Sequence, residues 1–467
     1  MKRLFGTDGI RGIANRDLTG ELAYKVGLAT AKMLNTNSFR TFESSPFNND
    51  MPVVIIGRDT RSSGDMLLSG LSCGLCAGGV NVIHLGILPT PAVAYLSKYY
   101  PFVSVGIMIT ASHNPKEYNG IKIIGADGYK LADELEEQIE ELISSINEET
   151  MNDFFSLNIG TISKEYSKIA RQDYLKHLSS IFEFKKEKPL KVAIDCSNGS
   201  ASTCYDIFAE LGLIAHEYNV DLSGEHINEN CGSMHLGFLQ SKIELIGNDY
   251  DCGIAFDGDA DRCMLVDENG ETVDGDQILA IVGTYLKGKN NLKNNTIVGT
   301  VMSNLGLINF CKENDIKFLS TKVGDKYVLE EMIINDCSLG GEQSGHIIFK
   351  DFATTGDGIL TALMVLDVID KSGISLSELK RLMMKYPQAS KQIPATSKEK
   401  TAFLANSNLK KIIDDKVESV LGNDGRAVVR PSGTENCIRV MVEGKDEAVI
   451  NELCEEISTI IKSSIAK

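Results

Sequence analysis

Short apolar runs recur along the chain, and each is followed by a glycine-bearing turn and then by a stretch of helical spacing. Val53-Val-Ile-Ile-Gly, Val80-Asn-Val-Ile-His-Leu and Val103-Ser-Val-Gly-Ile-Met-Ile read as buried strands, and the rhythm restarts at Leu190-Lys-Val-Ala-Ile-Asp and at Cys252-Gly-Ile-Ala-Phe. A strand apolar on nearly every residue has to be covered on both faces, so helices must flank its sheet. The chain is therefore constrained to α/β layers. A finer pattern of polar loop, strand, turn and helix begins at Ser112-His-Asn-Pro, at Asp257-Gly-Asp-Ala-Asp-Arg and at Gly341-Glu-Gln-Ser-Gly-His. It suggests related units whose strand-end loops carry the polar residues, which is where ligands sit in open α/β sheets.

A length of 467 residues exceeds one ordinary core and suggests roughly three or four domains. After Lys371 the rhythm changes, and a strand at Cys437-Ile-Arg-Val-Met-Val followed by a helix from Glu447 to Ile460 reads as a separate small α+β domain. The expected division is residues 1–155, 156–252, 253–370 with the acidic loop and the Gly341 loop, and 371–467. Residues 36–50 are polar and aperiodic and read as a surface insertion, and 147–167 read as a boundary.

A formal charge of −17 excludes the basic footprint of a nucleic-acid binder and of a protein drawn to anionic membranes. Eleven irregularly spaced cysteines fit a reducing compartment better than a disulfide framework. The single Cys73-Gly-Leu-Cys76 lacks a second ligand pair and sits among small apolar residues at helical spacing, so it reads as packing. With neither an apolar leader at the N-terminus nor a stretch of membrane-spanning length, the expected location is the cytoplasm.

Asp257, Asp259 and Asp261 alternate along the chain. In an extended backbone they would point to one side, where like charges raise one another's pKa unless a cation lies between them. Carboxylate oxygens suit magnesium or calcium. An EF-hand loop also begins D-x-D-x-D, but Arg262 stands where that loop needs glycine, and strands flank it where helices are required. Thr110-Ala-Ser-His-Asn-Pro follows an apolar strand, so Ser112 can be a nucleophile, a phosphate carrier beside a cation, or part of a polar turn. Arg430-Pro-Ser-Gly-Thr-Glu either offers a guanidinium, hydroxyls and backbone N–H groups to a phosphate or forms a plain turn. Glu342 and Ser344 could bond sugar hydroxyls or stand in an ordinary glycine-rich loop, and Phe5-Gly-Thr-Asp-Gly-Ile-Arg-Gly places Arg11 on a glycine-rich loop without a dinucleotide fingerprint.

Taken in order, these motifs and Gly57-Arg-Asp-Thr-Arg resemble the α-D-phosphohexomutase superfamily over nearly the whole chain. Val301-Met-Ser-Asn-Leu-Gly, Thr321-Lys-Val-Gly-Asp-Lys-Tyr and Gly341-Glu-Gln-Ser-Gly-His resemble its glucosamine-phosphate branch. Phosphomannomutase-like members carry Met where Gln343 stands and His where Asp325 stands. The resemblance implies three related α/β domains with mixed sheets plus a small C-terminal α+β domain around a central cleft. It implies that Ser112 is phosphorylated, by a kinase or by itself, and that Ser112, Asp257, Asp259 and Asp261 hold one magnesium ion. Lys122 is implied as general acid/base, with a pKa expected to be lowered among other cations. Arg11, His113 and Arg262 would line the transfer site, Glu342 and Ser344 would hold the sugar, and Arg430, Ser432, Gly433 and Thr434 the resting phosphate. It also implies a phosphosugar substrate, a glucosamine 1,6-bisphosphate intermediate and a homodimer. The rival expectations are a phosphogluco- or phosphomannomutase, a magnesium-dependent phosphatase, and a binding protein that has lost activity. One departure is Asn436, where the superfamily has proline after Ser-Gly-Thr-Glu; its loss removes a fixed φ from that turn.

Overall fold

The computed structural model describes residues 4–6, 8–36, 45–47, 49–185, 187–246, 249–422, 424–432 and 436–465. Three sheets repeat one plan. In the first, strands Val53–Arg58, Asn81–Ile87 and Val105–Ile109 are parallel and Tyr118–Gly125 closes antiparallel. In the second the corresponding strands are Lys191–Asp195, Ile214–Tyr218, Cys252–Phe256 and Cys263–Asp267. In the third they are Thr296–Thr300, Lys317–Thr321, Leu339–Gly341 and Ile347–Phe349. In space each unit runs fourth, third, first, second. The three polar loops of the repeating sequence pattern all join the third strand to the fourth, so one position in the repeated plan carries Ser112, the three aspartates and Glu342.

The first sheet is extended at one edge by Phe5–Gly6 and Gly9–Ile13 and at the other by Ile162–Ser163. The fourth sheet is antiparallel, with Cys437–Gly444 between Gln388–Pro394 and Gly425–Pro431. Its apolar face packs on helix Glu447–Ile465 and encloses a core of its own. Among the described residues no helix is long and apolar enough to cross a membrane.

The expected domain boundaries shift. The division at 155 leaves out Ile162–Ser163, which pairs with the first sheet. The division at 252 cuts through strand Cys252–Phe256, so the aspartate loop belongs to the second sheet. The division at 370 falls inside helix Gly358–Ser372, and the fourth sheet starts only at Gln388. Strand pairing joins segments far apart in the chain, and local pattern does not show which sheet a strand enters. Cys73 and Cys76 lie on helix Gly64–Ala77, packed against helix Gly20–Thr36 so closely that a Cβ on Gly74 would lie 2.1 Å from the Tyr24 carbonyl oxygen. Most of the 36–50 stretch lies outside the described residues; its far end returns at Phe47, which packs against the core.

Helix Gly358–Ser372 starts at Asp357, whose Oδ1 accepts from Leu360 N at 2.9 Å, while Oδ2 accepts from Tyr174 Oη at 2.9 Å. Burial pushes this carboxyl up to about 6, against about 3.9 unfolded. The native state holds the proton more tightly, so the carboxyl lowers stability as pH rises from about 4 through 6, by on the order of 2–3 kcal/mol. Asp357→Asn is expected to flatten that slope, measured as the difference from the parent chain in chemical denaturation across pH 4–7.

Candidate active site

Ser112 sits in the first loop with φ +51°, in the left-handed region that a residue with a Cβ seldom adopts. Its N–H donates to Thr110 Oγ1 at 2.9 Å, and its Oγ donates to Asp257 Oδ2 at 2.6 Å and lies 3.2 Å from His113 Nδ1. The two loops touch because residue 258 is glycine: a Cβ there would stand 2.7 Å from the Ser112 carbonyl oxygen.

The aspartates do not converge by extended alternation. Their loop turns on an Ala260 N–H bond to the Asp257 carbonyl and on Ala260 at φ +53°. The turn brings one oxygen from each of the three buried carboxyls within 4.8 Å of one another. Asp259 Oδ2 accepts from Thr90 Oγ1 at 2.6 Å and from Lys122 Nζ at 2.9 Å, and Asp257 Oδ1 accepts from the Arg262 N–H at 3.2 Å. Asp259 Oδ1 and Asp261 Oδ1 are buried with no hydrogen-bond partner among the described residues. Burial, reinforced by Asp261 and Asp259, pushes Asp257 well above the usual carboxylate range. Burial would raise Asp261 too, but Lys122, His346 and Arg262 outweigh it and hold that carboxyl far below. Two orphaned hard oxygens amid mutually repelling carboxylates fit a small divalent cation.

Lys122 overturns its expected environment. It lies on strand Tyr118–Gly125 with Nζ 2.9 Å from Asp259, 3.1 Å from Asp8 and 3.5 Å from Asp261. Burial works to lower its pKa, but these carboxylates prevail and hold the ammonium well above its ordinary value. The resemblance implied cationic neighbours; the carboxylates that surround Lys122 come from two other loops. Arg11, on strand Gly9–Ile13, pairs with Asp8, and Asp8 Oδ1 also meets Lys130 Nζ at 2.5 Å. His113 is half-buried, and desolvation with the nearby Arg262 and Arg11 lowers it to about 4.

From the third loop, Glu342 Oε1 accepts from Gly324 N at 3.0 Å, and Ser344 is half-buried beside it. His346 reaches back to the aspartates, with Nδ1 3.7 Å from Asp261 Oδ1. From the fourth sheet comes Arg430, directly opposite Arg439 in register. Burial and Arg439 lower the Arg430 pKa, and Glu342 counters them. Ser432 N donates to the Cys437 carbonyl at 2.9 Å; Gly433 and Thr434 lie outside the described residues. The carbonyl of Asn436, the residue that stands in place of proline, accepts from Ala395 N at 2.9 Å. Among the described residues the Nε donors of Arg11, Arg262 and Arg430 are buried without a hydrogen-bond partner, a demand an anion would meet.

Asp325 and Gln343, on which the resemblance to the glucosamine-phosphate branch drew, make contacts between domains. Asp325 Oδ2 is 2.5 Å from Lys130 Nζ on the first domain, and Gln343 Nε2 is 3.3 Å from Gln388 Oε1 on the fourth. Asp8, Thr90, Lys130, Asp59, Arg61 and Asn228 had no role in the sequence reading. Three of them, Asp8, Asp59 and Arg61, lie within the Phe5-Gly-Thr-Asp-Gly-Ile-Arg-Gly and Gly57-Arg-Asp-Thr-Arg motifs, but most of their partners are distant in the chain.

Residues 2–150, 172–270 and 274–386 match alpha/beta/alpha domains I, II and III of phosphoglucomutase/phosphomannomutase, and 384–460 match its C-terminal domain. The chain belongs to the phosphoglucomutase/phosphomannomutase family. It is 47% identical to the phosphoglucosamine mutase of Thermoanaerobacter pseudethanolicus, with all of both chains covered. Its fold is similar to that of a phosphoglucomutase/phosphomannomutase family protein from Burkholderia thailandensis (TM-score 0.81, 22% identity, 99% of this chain and 98% of that one). It is also similar to Aspergillus fumigatus N-acetylphosphoglucosamine mutase, solved with GlcNAc-6P and magnesium (TM-score 0.66, 17% identity, 99% and 96% covered).

Proposed function

We propose that the chain is an intramolecular phosphotransferase that interconverts glucosamine 6-phosphate and glucosamine 1-phosphate, toward UDP-N-acetylglucosamine and the cell wall. The observation that carries this reading is Ser112 Oγ at 2.6 Å from a carboxyl of the buried aspartate triad. Full-length identity of 47% to a phosphoglucosamine mutase supports the amino sugar.

In this reading phosphoserine 112 gives its phosphoryl group to O1 of glucosamine 6-phosphate: the P–Oγ bond breaks and a P–O1 bond forms. The 1,6-bisphosphate turns over in the cleft, and the 6-phosphoryl group returns to Ser112, leaving the 1-phosphate. Lys122, held protonated by its carboxylate neighbours, serves first as acid toward the departing Oγ and then as base when Oγ attacks. The proton that O1 loses restores Lys122 after the first transfer, and in the second Lys122 gives a proton to O6 as it takes the one from the attacking Oγ. Arg11, His113 and Arg262 line the moving phosphoryl group. Glu342 and Ser344 hold sugar hydroxyls in either orientation, and Arg430 with Ser432, Gly433 and Thr434 holds the other phosphate. Asp257, Asp259 and Asp261, with Ser112, would hold magnesium, which when bound offsets the charge of the transferring group. The small fourth domain covers the cleft, because water would otherwise hydrolyse the phosphoserine. Eleven cysteines, all unpaired, support a reducing cytoplasm, and the resemblance supports a homodimer and activation by a kinase or by self-phosphorylation.

The test feeds glucosamine 6-phosphate with magnesium and a trace of bisphosphate and follows phosphorus NMR. Glucosamine 1-phosphate is expected. Accumulation of free phosphate alone would establish a phosphatase, and much faster turnover of glucose 1-phosphate would overturn the substrate.

A further inference from the structure

Ser112 is held in its unfavourable backbone conformation by a residue that touches neither the hydroxyl nor the cleft. Arg61 is fully buried, and all of its guanidinium nitrogens are engaged. Nη2 donates to the carbonyl oxygens of Ser112 at 2.9 Å and Asn114 at 2.7 Å. Nη1 donates to those of Pro115 at 2.5 Å and Tyr118 at 2.9 Å. Nε donates to Asp59 Oδ2 at 3.0 Å, and the same oxygen accepts from Thr110 Oγ1 at 2.7 Å. Thr110 Oγ1 in turn accepts the Ser112 N–H. The arginine thus grips the carbonyl side of the loop, and through Asp59 and Thr110 it also grips the amide side. A second clamp arrives from the next domain: Asn228 Nδ2 donates to the Ser112 carbonyl at 2.9 Å and to that of Asn114 at 3.2 Å.

We propose that Arg61, assisted by Asn228, is the positioning residue of the phosphoryl-transfer loop, fixing Ser112 Oγ against the aspartate triad through both transfers. The inference rests on the reading of Ser112 as phosphoryl carrier. A non-glycine residue at positive φ costs roughly 1–3 kcal/mol and persists only where its surroundings over-determine it. Four carbonyls converging on one planar fork provide that determination, and lysine, with a single point charge, cannot reproduce it. Loop geometry matters because displacement of a reacting group by about 1 Å can cost about 100-fold. The residues read as holding the sugar and the resting phosphate lie on other loops, so the effect belongs in kcat.

The experiment compares parent, Arg61→Lys, Arg61→Gly and Asn228→Ala enzymes. It measures kcat and KM for glucosamine 6-phosphate, and also phosphorylation of Ser112 by glucose 1,6-bisphosphate, read by intact mass. Arg61→Lys is expected to lower kcat and the phosphorylation rate about 100-fold, and Asn228→Ala about 10-fold, with KM within about threefold. Millimolar guanidinium is expected to restore part of the loss in Arg61→Gly. If the Arg61 variants fail to fold, Asn228→Ala, at a loop outside the first core, decides. Parental kcat and phosphorylation rate in the folded variants, or a loss confined to KM, would overturn the proposal. A parent enzyme that never gains phosphate on Ser112 would instead overturn the carrier reading itself.

Discussion

Ser112→Ala is expected to abolish interconversion of the two glucosamine phosphates, a loss of about 10⁴-fold or more, on the scale seen when a covalent nucleophile is removed. Only Oγ is deleted. The backbone grip on residue 112 uses its amide and carbonyl, so alanine inherits the same loop geometry at the same positive φ. Asp257 Oδ2 loses its 2.6 Å partner, but it remains within a triad able to bind a cation. The variant should therefore still respond to magnesium in a thermal melt. Intact mass should show one labile phosphate on the parent chain and none on the variant. Retained turnover in Ser112→Ala would sink the phosphoserine mechanism, while a folded and silent variant that still responds to the metal isolates the loss to the carrier.

The second large effect lies in the triad. Asp259→Asn is expected to remove the magnesium response and to lower turnover by about 10³-fold, comparable to other losses of transition-state electrostatic stabilisation. For the parent, magnesium at about 100 times its dissociation constant should stabilise the fold by about 2.7 kcal/mol, a shift of a few degrees that needs no substrate. Asp259 is the informative position because it does two jobs: one oxygen is orphaned and available to a cation, and the other binds Thr90 and Lys122. Asparagine keeps the shape but removes the charge that Lys122 leans on, so Lys122 falls back on Asp8 and Asp261. A variant that keeps the parental thermal response to magnesium would show that the cation binds elsewhere.

Legibility was uneven, and for physical reasons. Strands such as Val53–Arg58 and Cys252–Phe256 announce themselves because burial on both faces demands apolar residues at every step, which is a local property. The third-to-fourth-strand loops were legible for a related reason: polar clusters such as Thr110-Ala-Ser-His-Asn-Pro stand out against apolar strands. Asp257, Asp259 and Asp261 were identified correctly as a cluster but for an incomplete reason, since a turn at Ala260 brings them together where an extended strand had been expected. Domain limits were misread wherever strand pairing, which is non-local, decided them.

By itself the sequence determined the layer type, the threefold recurrence and the acidic cluster, and it marked the Ser112 and Arg430 loops as polar motifs, because each is a property of residues adjacent in the chain. Only the tertiary structure decided that Lys122 sits among carboxylates and keeps its proton, that Asp325 and Gln343 tie domains together, and that Arg61 grips the loop of Ser112. Those are effects of charge and hydrogen bonding between groups that are remote in the chain, and they come into being only when the sheets have closed around the cleft.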